Sequence, residues 1–595
     1  MCLRKFIIFL SITFFFLIFL STEIFSLLNI LNQLSIRIFW LFVVIISSSI
    51  IIKKKYFKKI VGQKLRLTPE IFFIMFIFIF TFINAIIYAP NTLDAMTYHM
   101  TKVMNWIQNE NLNFYPTNDL RELILAPLSE YIILHLYLVA VGDYFVNLLQ
   151  WYSMFVSCLG VSLIAKELNC NSKYQTLAAL FCASIPMGIM QSTSTQTDYV
   201  TTMWIVLMVY FLLKFIRQNK LSYLIFFSVC LGLGVLTKGT FYFFALPFCV
   251  WLGWYLAFTA KKIYLSFVIV IIFLIINSGH FFRNINLYNN PLGISDETPN
   301  WINETLNIKG FSSNTIKNLS LNLSLPNKEI NKLTNTVVEK IHKYLDVLPG
   351  DPKTTMGGRG YYIPFSFYES TAPNTLHFII IIFLVIFFIL QKTKKKAEIL
   401  YFLSIVFGFL IFSFLVKWMP QGNRILLTSF VLMSPYVALM ISKIKLKNFG
   451  LLISTFLFIY SLPYLFFNKS RPLISKLEFN EKGINFKKPD FISLNRDQLY
   501  YVADKYYHKR DLYRSHIDII KKIKDNRCRI IGLDNYMTND LQYPFWNILI
   551  KELKHEKFNI YNINVRNKSK MYTDFEKMDK ICAIVHKDRI EFKNL

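Results

Sequence analysis

The sequence predicts an α-helical polytopic membrane protein with about thirteen spanning helices, followed by a small C-terminal α/β domain. Three observations predict it. Charged residues make up 17% of the 595 residues and hydrophobic ones 54%, whereas a water-soluble chain carries roughly 25% charged. The deficit is uneven: residues 71–88 hold no charge, while 476–595 read as an ordinary soluble sequence. Basic residues also gather in short runs between apolar segments, where they orient helices against the membrane.

The spanning segments lie near residues 6–28, 36–52, 69–89, 144–165, 175–192, 199–216, 221–237, 241–260, 263–280, 375–390, 399–416, 425–442 and 449–467. Each is about 17–25 residues, enough to cross ~30 Å of hydrocarbon. The first follows Arg4 and Lys5 as a signal peptide would, but its apolar run is too long and no small-residue cleavage site follows, so it reads as an uncleaved helix. Basic clusters at 53–66, 214–220, 261–262, 392–396 and 443–447 all fall on one side if the N-terminus is cytoplasmic. The tail after Phe467 is then extracytoplasmic. One apolar stretch, 124–141, breaks the alternation and carries Glu130 and His135, which are costly at mid-membrane. It is expected to lie in the outer interface beside the preceding loop.

Three parts result: two N-terminal spans with a basic loop (1–68), a membrane domain (69–467) with outer loops 89–142 and 281–374, and the tail (468–595). In the tail, 528–532 and 581–585 read as buried strands and 512–523 as a helix. Cys528 and Cys582 can pair as a disulfide if the tail is exported.

The net charge of +29 raises a nucleic-acid partner, but the cations are dispersed between spans rather than gathered on one face. No cysteine or histidine spacing supports a metal, and no cofactor is indicated.

Two acidic residues lie at ends of spans on the predicted outer face. Asp94, in Asn91-Thr-Leu-Asp94-Ala-Met-Thr-Tyr98-His99, follows a span by a few residues. Asp198, in Gln191-Ser-Thr-Ser-Thr-Gln196-Thr-Asp198, opens another. Each is either a helix cap or a general base placed where a lipid phosphate and a water-soluble acceptor meet. Glu130 would be a third acid. Lys238, Lys417 and Arg424 are outer cations against the positive-inside trend, suited to phosphate oxygens or to snorkelling at helix ends.

The early Asp94 with Tyr98-His99, the Asp198 element, Leu-Thr-Lys238-Gly, and Lys417-Trp…Arg424 together resemble the GT-C superfamily of membrane glycosyltransferases. The branch is that of protein O-mannosyltransferases and the lipid A aminoarabinose transferase. The resemblance implies a polyprenyl-phosphate sugar donor, a glycan, lipid or protein acceptor, and transfer with inversion on the extracytoplasmic face of the plasma membrane. It would make Asp94 the catalytic base, Asp198 a second acidic site residue, and Lys238, Lys417 and Arg424 phosphate contacts. Many relatives pair Asp with Glu in the first loop, whereas Ala95 follows Asp94 here; Tyr98, His99 or Glu130 would then complete the site. A flippase or other transporter would need several polar residues at mid-membrane depth, and few occur. An O-antigen polymerase or ligase would use loop arginines such as Arg283 and Arg359.

Overall fold

The structure is a computed structural model describing residues 3–53, 67–298, 300–358, 360–363, 365–392, 394–474, 476–480, 483–487, 494–502, 511–534, 541–553, 556–586 and 589–593. Cys2, Arg359 and most of the basic 53–66 loop lie outside them. It is mostly helical. Among the described residues, nine helices are long and apolar enough to cross a membrane: Leu3–Leu27, Pro69–Ile87, Leu148–Glu167, Asp198–Gln218, Phe241–Thr259, Ile263–Tyr288, Lys396–Leu415, Gly422–Lys443 and Phe449–Phe466. Gln33–Ser49, Leu221–Val235 and Thr375–Leu390 are apolar but shorter.

The segment expected to span over 175–192 is instead two helices, Ser172–Ala183 and Pro186–Ser192. Pro186 explains the break. Its ring removes one N–H and disfavours helical geometry at the residue before it, and Ile185 is accordingly non-helical.

Two helices sit at the centre. Asp198–Gln218 and Gly422–Lys443 are almost wholly buried, so their polar N-terminal residues are held within protein. A hydroxyl pair, Thr202 to Thr428 at 2.8 Å, ties them one turn below those ends. Gln150, from Leu148–Glu167, accepts from the backbone N–H of Tyr199 at 2.7 Å and of Val200 at 3.3 Å. A neighbouring helix thereby satisfies N–H groups that a helix start leaves open.

The stretch expected at the interface forms Arg121–Ile124 and Leu128–Ala140. The longer helix packs beneath the first outer loop, against Leu3–Leu27, Gln33–Lys53 and Met100–Asn109. His135 is spent internally, bonded to Thr22 and Trp40, each at 2.9 Å. The helix ends abruptly at Val141, a β-branched residue in the left-handed region (φ 55°).

The C-terminal part is α/β. Strands β1 (Lys476–Asn480) and β2 (Gly483–Lys487) pair as an antiparallel hairpin. Strands β3 (Ile530–Leu533), β4 (Asn559–Asn562), β5 (Ala583–Val585) and β6 (Ile590–Phe592) form a sheet ordered β4-β3-β5-β6. Its inner pairs are parallel and its last pair antiparallel. Helices Leu512–Asp525 and Gln542–Glu552 accompany it, and Cys528–Cys582 is a disulfide.

The C-terminal part docks on the first outer loop and on Asp143 just beyond it. The Asp143 carboxylate accepts from Arg496 at 3.0 Å, from Tyr543 at 2.9 Å and from Tyr500. Strand β4 is an edge, and the Gln108 side chain fills it, accepting from Ile560 N–H at 2.8 Å and donating to its carbonyl at 3.0 Å. An amide thus pairs an edge that would otherwise stay open.

Candidate active site

Four helix ends converge. Asp94 lies just beyond Pro69–Ile87, Lys238 just beyond Leu221–Val235, and Asp198 and Arg424 open the two central helices. Arg424 Nη1 donates to Asp94 Oδ2 at 2.7 Å, and Lys238 Nζ to Asp198 Oδ1 at 2.6 Å. Arg424 Nε stands 3.9 Å from Asp198 Oδ2. The four form a continuous row of charges, Asp94–Arg424–Asp198–Lys238, neutral in sum.

The local cap reading fails for both acids. Neither side chain accepts from the backbone N–H groups of the helix it opens. Thr92 serves the turn after Asp94, accepting from Ala95 N–H at 3.2 Å, and Gln150 serves the other. A cation at a helix N-terminus opposes the macrodipole; Arg424 is held there by the two carboxylates.

Burial alone would push the Asp94 carboxyl up, but Arg424, His99 and Arg121 outweigh it and hold it at about 2. Asp198 Oδ2 and Arg424 Nε are both buried and make no hydrogen bond with the described residues. Each retains capacity for a polar ligand, and an unsatisfied buried group costs about 1–3 kcal/mol.

Residues Ala95–His99 form a wider π-type turn running straight into Met100–Asn109. Such turns re-aim side chains and recur at functional sites. Tyr98 lies under the Arg121 guanidinium, 4.6 Å from its ring centre. His99 Nδ1 is 2.7 Å from Glu130 Oε1, and Lys102 Nζ is 3.9 Å from the same oxygen.

Glu130, expected to face water as a substrate contact, is fully buried. Its visible partners are His99 and Lys102, which the surrounding helices press against it. Lys417 also stands apart from the charge row. It donates to Glu304 at 2.6 Å, in the second outer loop, while Ile302 bridges Val416 beside it. Arg283 is engaged as well, donating to Glu23 at 3.0 and 2.9 Å.

Arg471 escapes sequence reasoning. Four residues past the last span, it is fully buried and donates to Asn91 at 2.8 Å and Thr193 at 3.3 Å, with Glu369 at 3.7 Å. It joins the Asp94 loop, the loop leading to Asp198 and the second outer loop. In sequence it is one basic residue among many, and its acceptors lie far away along the chain.

Residues 126–280 match the family model described as dolichyl-phosphate-mannose-protein mannosyltransferase. The matched stretch carries Glu130, Asp198 and Lys238. Among solved structures, ArnT from Cupriavidus metallidurans bound to undecaprenyl phosphate is similar over 87% of this chain and 89% of that one, at 10% identity and a TM-score of 0.47. The apo state of the same protein is similar over 85% and 88%, at 10% identity and 0.47. The archaeal oligosaccharyltransferase AglB from Archaeoglobus fulgidus, in complex with an inhibitory peptide and a dolichol-phosphate, is similar over 87% and 69%, at 10% identity and 0.43. No curated protein matches the chain. The apolar helices mark a multi-pass membrane protein, and over residues 126–280 the chain is similar to a family of mannosyltransferases.

Proposed function

We propose that this enzyme transfers a sugar from a polyprenyl-phosphate donor to a hydroxyl or amine of an acceptor on the extracytoplasmic face, with Asp94 as general base. The observation that carries the reading is the row Asp94–Arg424–Asp198–Lys238, assembled from four separate segments at one end of the helices. The lipid ligands of ArnT and AglB are phosphates, which is the chemistry such cations suit.

In this reading the acceptor O–H or N–H loses its proton to Asp94 while its electron pair forms the bond to the anomeric carbon. The bond from that carbon to the phosphate oxygen breaks, and its electron pair leaves with the polyprenyl phosphate. Attack opposite the leaving group inverts the sugar. Lys238 and Arg424 hold the phosphate and offset the charge that develops on it. Asp198 orients both cations. Tyr98 and His99 line the turn beside Asp94, and Glu130 with Lys102 fixes the His99 ring from behind.

At about 2, Asp94 is a weak base while Arg424 grips it. A donor phosphate competes for that guanidinium. Its arrival frees the carboxylate and restores its basicity, so the base is unmasked only when donor is bound.

The test is transfer of labelled sugar from a polyprenyl phosphate by the purified protein. Asp94→Asn keeps size and hydrogen bonding but not basicity, so turnover should fall ~10²–10⁴-fold with donor-lipid binding preserved. Near-normal turnover sinks the base assignment.

A further inference from the structure

An open cleft of about 480 Å³ lies at the seam between the first outer loop and the tail sheet. That is within the ~300–1,000 Å³ typical of ligand clefts. One wall is the helix that continues from the Asp94 turn, through Asn105 and Asn109, and the loop through Tyr115; the other is strand β4 and the turn ending at Tyr572. Asn105 is eleven residues beyond Asp94, or about 16 Å at a helical rise of ~1.5 Å per residue.

The lining is unlike the charge row. Its amides recur on both walls, Asn105 and Asn109 facing Asn559 and Asn562, and Tyr561 and Tyr572 add half-buried aromatic rings. Its ionised side chains are Asp574 and Lys577, which pair with each other at 3.0 Å. Nothing in it selects a phosphate. Asn562 is buried; its Nδ2 donates to Pro116 O at 3.2 Å, but its Oδ1 accepts from no described residue.

We infer that this cleft binds a neutral saccharide, namely the part of a glycan acceptor distal to the reacting group. Amides both donate and accept, which matches hydroxyls that do the same. Aromatic faces cover the apolar C–H faces of a sugar ring. In naming the occupant as acceptor, the inference rests on the proposed transfer reaction; the cleft's affinity for saccharide does not.

The experiment uses the full chain in lipid nanodiscs, avoiding maltoside detergents, with labelled mannotetraose and chitotetraose as probes. Saturable binding of either is expected. Tyr561→Ala and Tyr572→Ala should each weaken it about tenfold, ~1.4 kcal/mol. Asp94→Asn should leave it intact while lowering transfer ~10²–10⁴-fold. The inference is overturned by no saturable binding of either probe, or by binding lost in Asp94→Asn but retained in the tyrosine variants. Competition by polyprenyl phosphate overturns it too, since saccharide and phosphate would then share the charge row. If saccharide binds as expected but no sugar is ever transferred, the reaction fails and the cleft stands.

Discussion

Arg424→Gln tests the masking of Asp94 directly. In the native arrangement the carboxyl is held at about 2 against an ordinary 3.8. Burial works the other way, so without Arg424 the group should rise from that value, by as much as burial outweighs the remaining pull of His99 and Arg121. At ~1.36 kcal/mol per unit, a full return to the ordinary value would cost the ionised form ~2.4 kcal/mol of support. The sign follows from linkage. A carboxyl depressed by folding stabilises the native state above its unfolded pKa, and that contribution disappears as pH falls toward about 2. A carboxyl raised by folding penalises the native state at neutral pH, and the penalty fades on acidification. The Tm gap between native protein and Arg424→Gln should therefore be widest near neutrality and narrow as pH falls through the variant's carboxyl pKa. Infrared difference spectroscopy should show a protonated carboxyl band in the variant that the native protein lacks at the same pH, and Asp94→Asn in the Arg424→Gln background should remove it. A Tm gap independent of pH, with no new carboxyl band, refutes the masking argument.

Other consequences are checked separately. Arg471→Met leaves Glu369 buried beside an apolar side chain and should cost ~3–5 kcal/mol, lowering Tm; adding Glu369→Gln should recover much of it. Reporter fusions after residues 218 and 470 should report opposite compartments, and a shared compartment removes the proposed topology. Cys528 and Cys582 should resist thiol labelling of the native protein until a reductant is added. Labelling of both without reductant contradicts a disulfide-bonded, exported tail.

Much of this molecule was legible because membrane insertion writes itself into composition. The spans stand out as apolar runs with at most one charge, and strands β3 and β5 as short apolar runs in a polar tail. Asp94, Asp198, Lys238 and Arg424 were visible because each breaks an apolar pattern at its end. What they do to one another was not. A carboxylate at a helix start is locally a good cap, and no spacing rule reveals that Thr92 and Gln150 provide the backbone contacts instead. Lys417 illustrates the same limit in reverse. Its position resembles that of Arg424, yet Glu304, over a hundred residues earlier, captures it.

Depth was the other blind spot. Glu130 and His135 argued for a surface helix because charge is costly in hydrocarbon. The argument assumes lipid or water as the only surroundings. Leu128–Ala140 is instead enclosed by other helices and the first outer loop, where His99 and Lys102 face one oxygen of Glu130 and Thr22 and Trp40 bond His135. Arg471 extends the point. A buried guanidinium is tolerable only where several acceptors are fixed in advance, and its acceptors come from three loops that meet only once the bundle is assembled. The same condition applies to the charge row. Two carboxylates and two cations confined between helix ends hold one another in place at no net charge. A phosphate entering that row must displace a carboxylate from a cation, and in this reading the displaced carboxylate is the base the reaction requires.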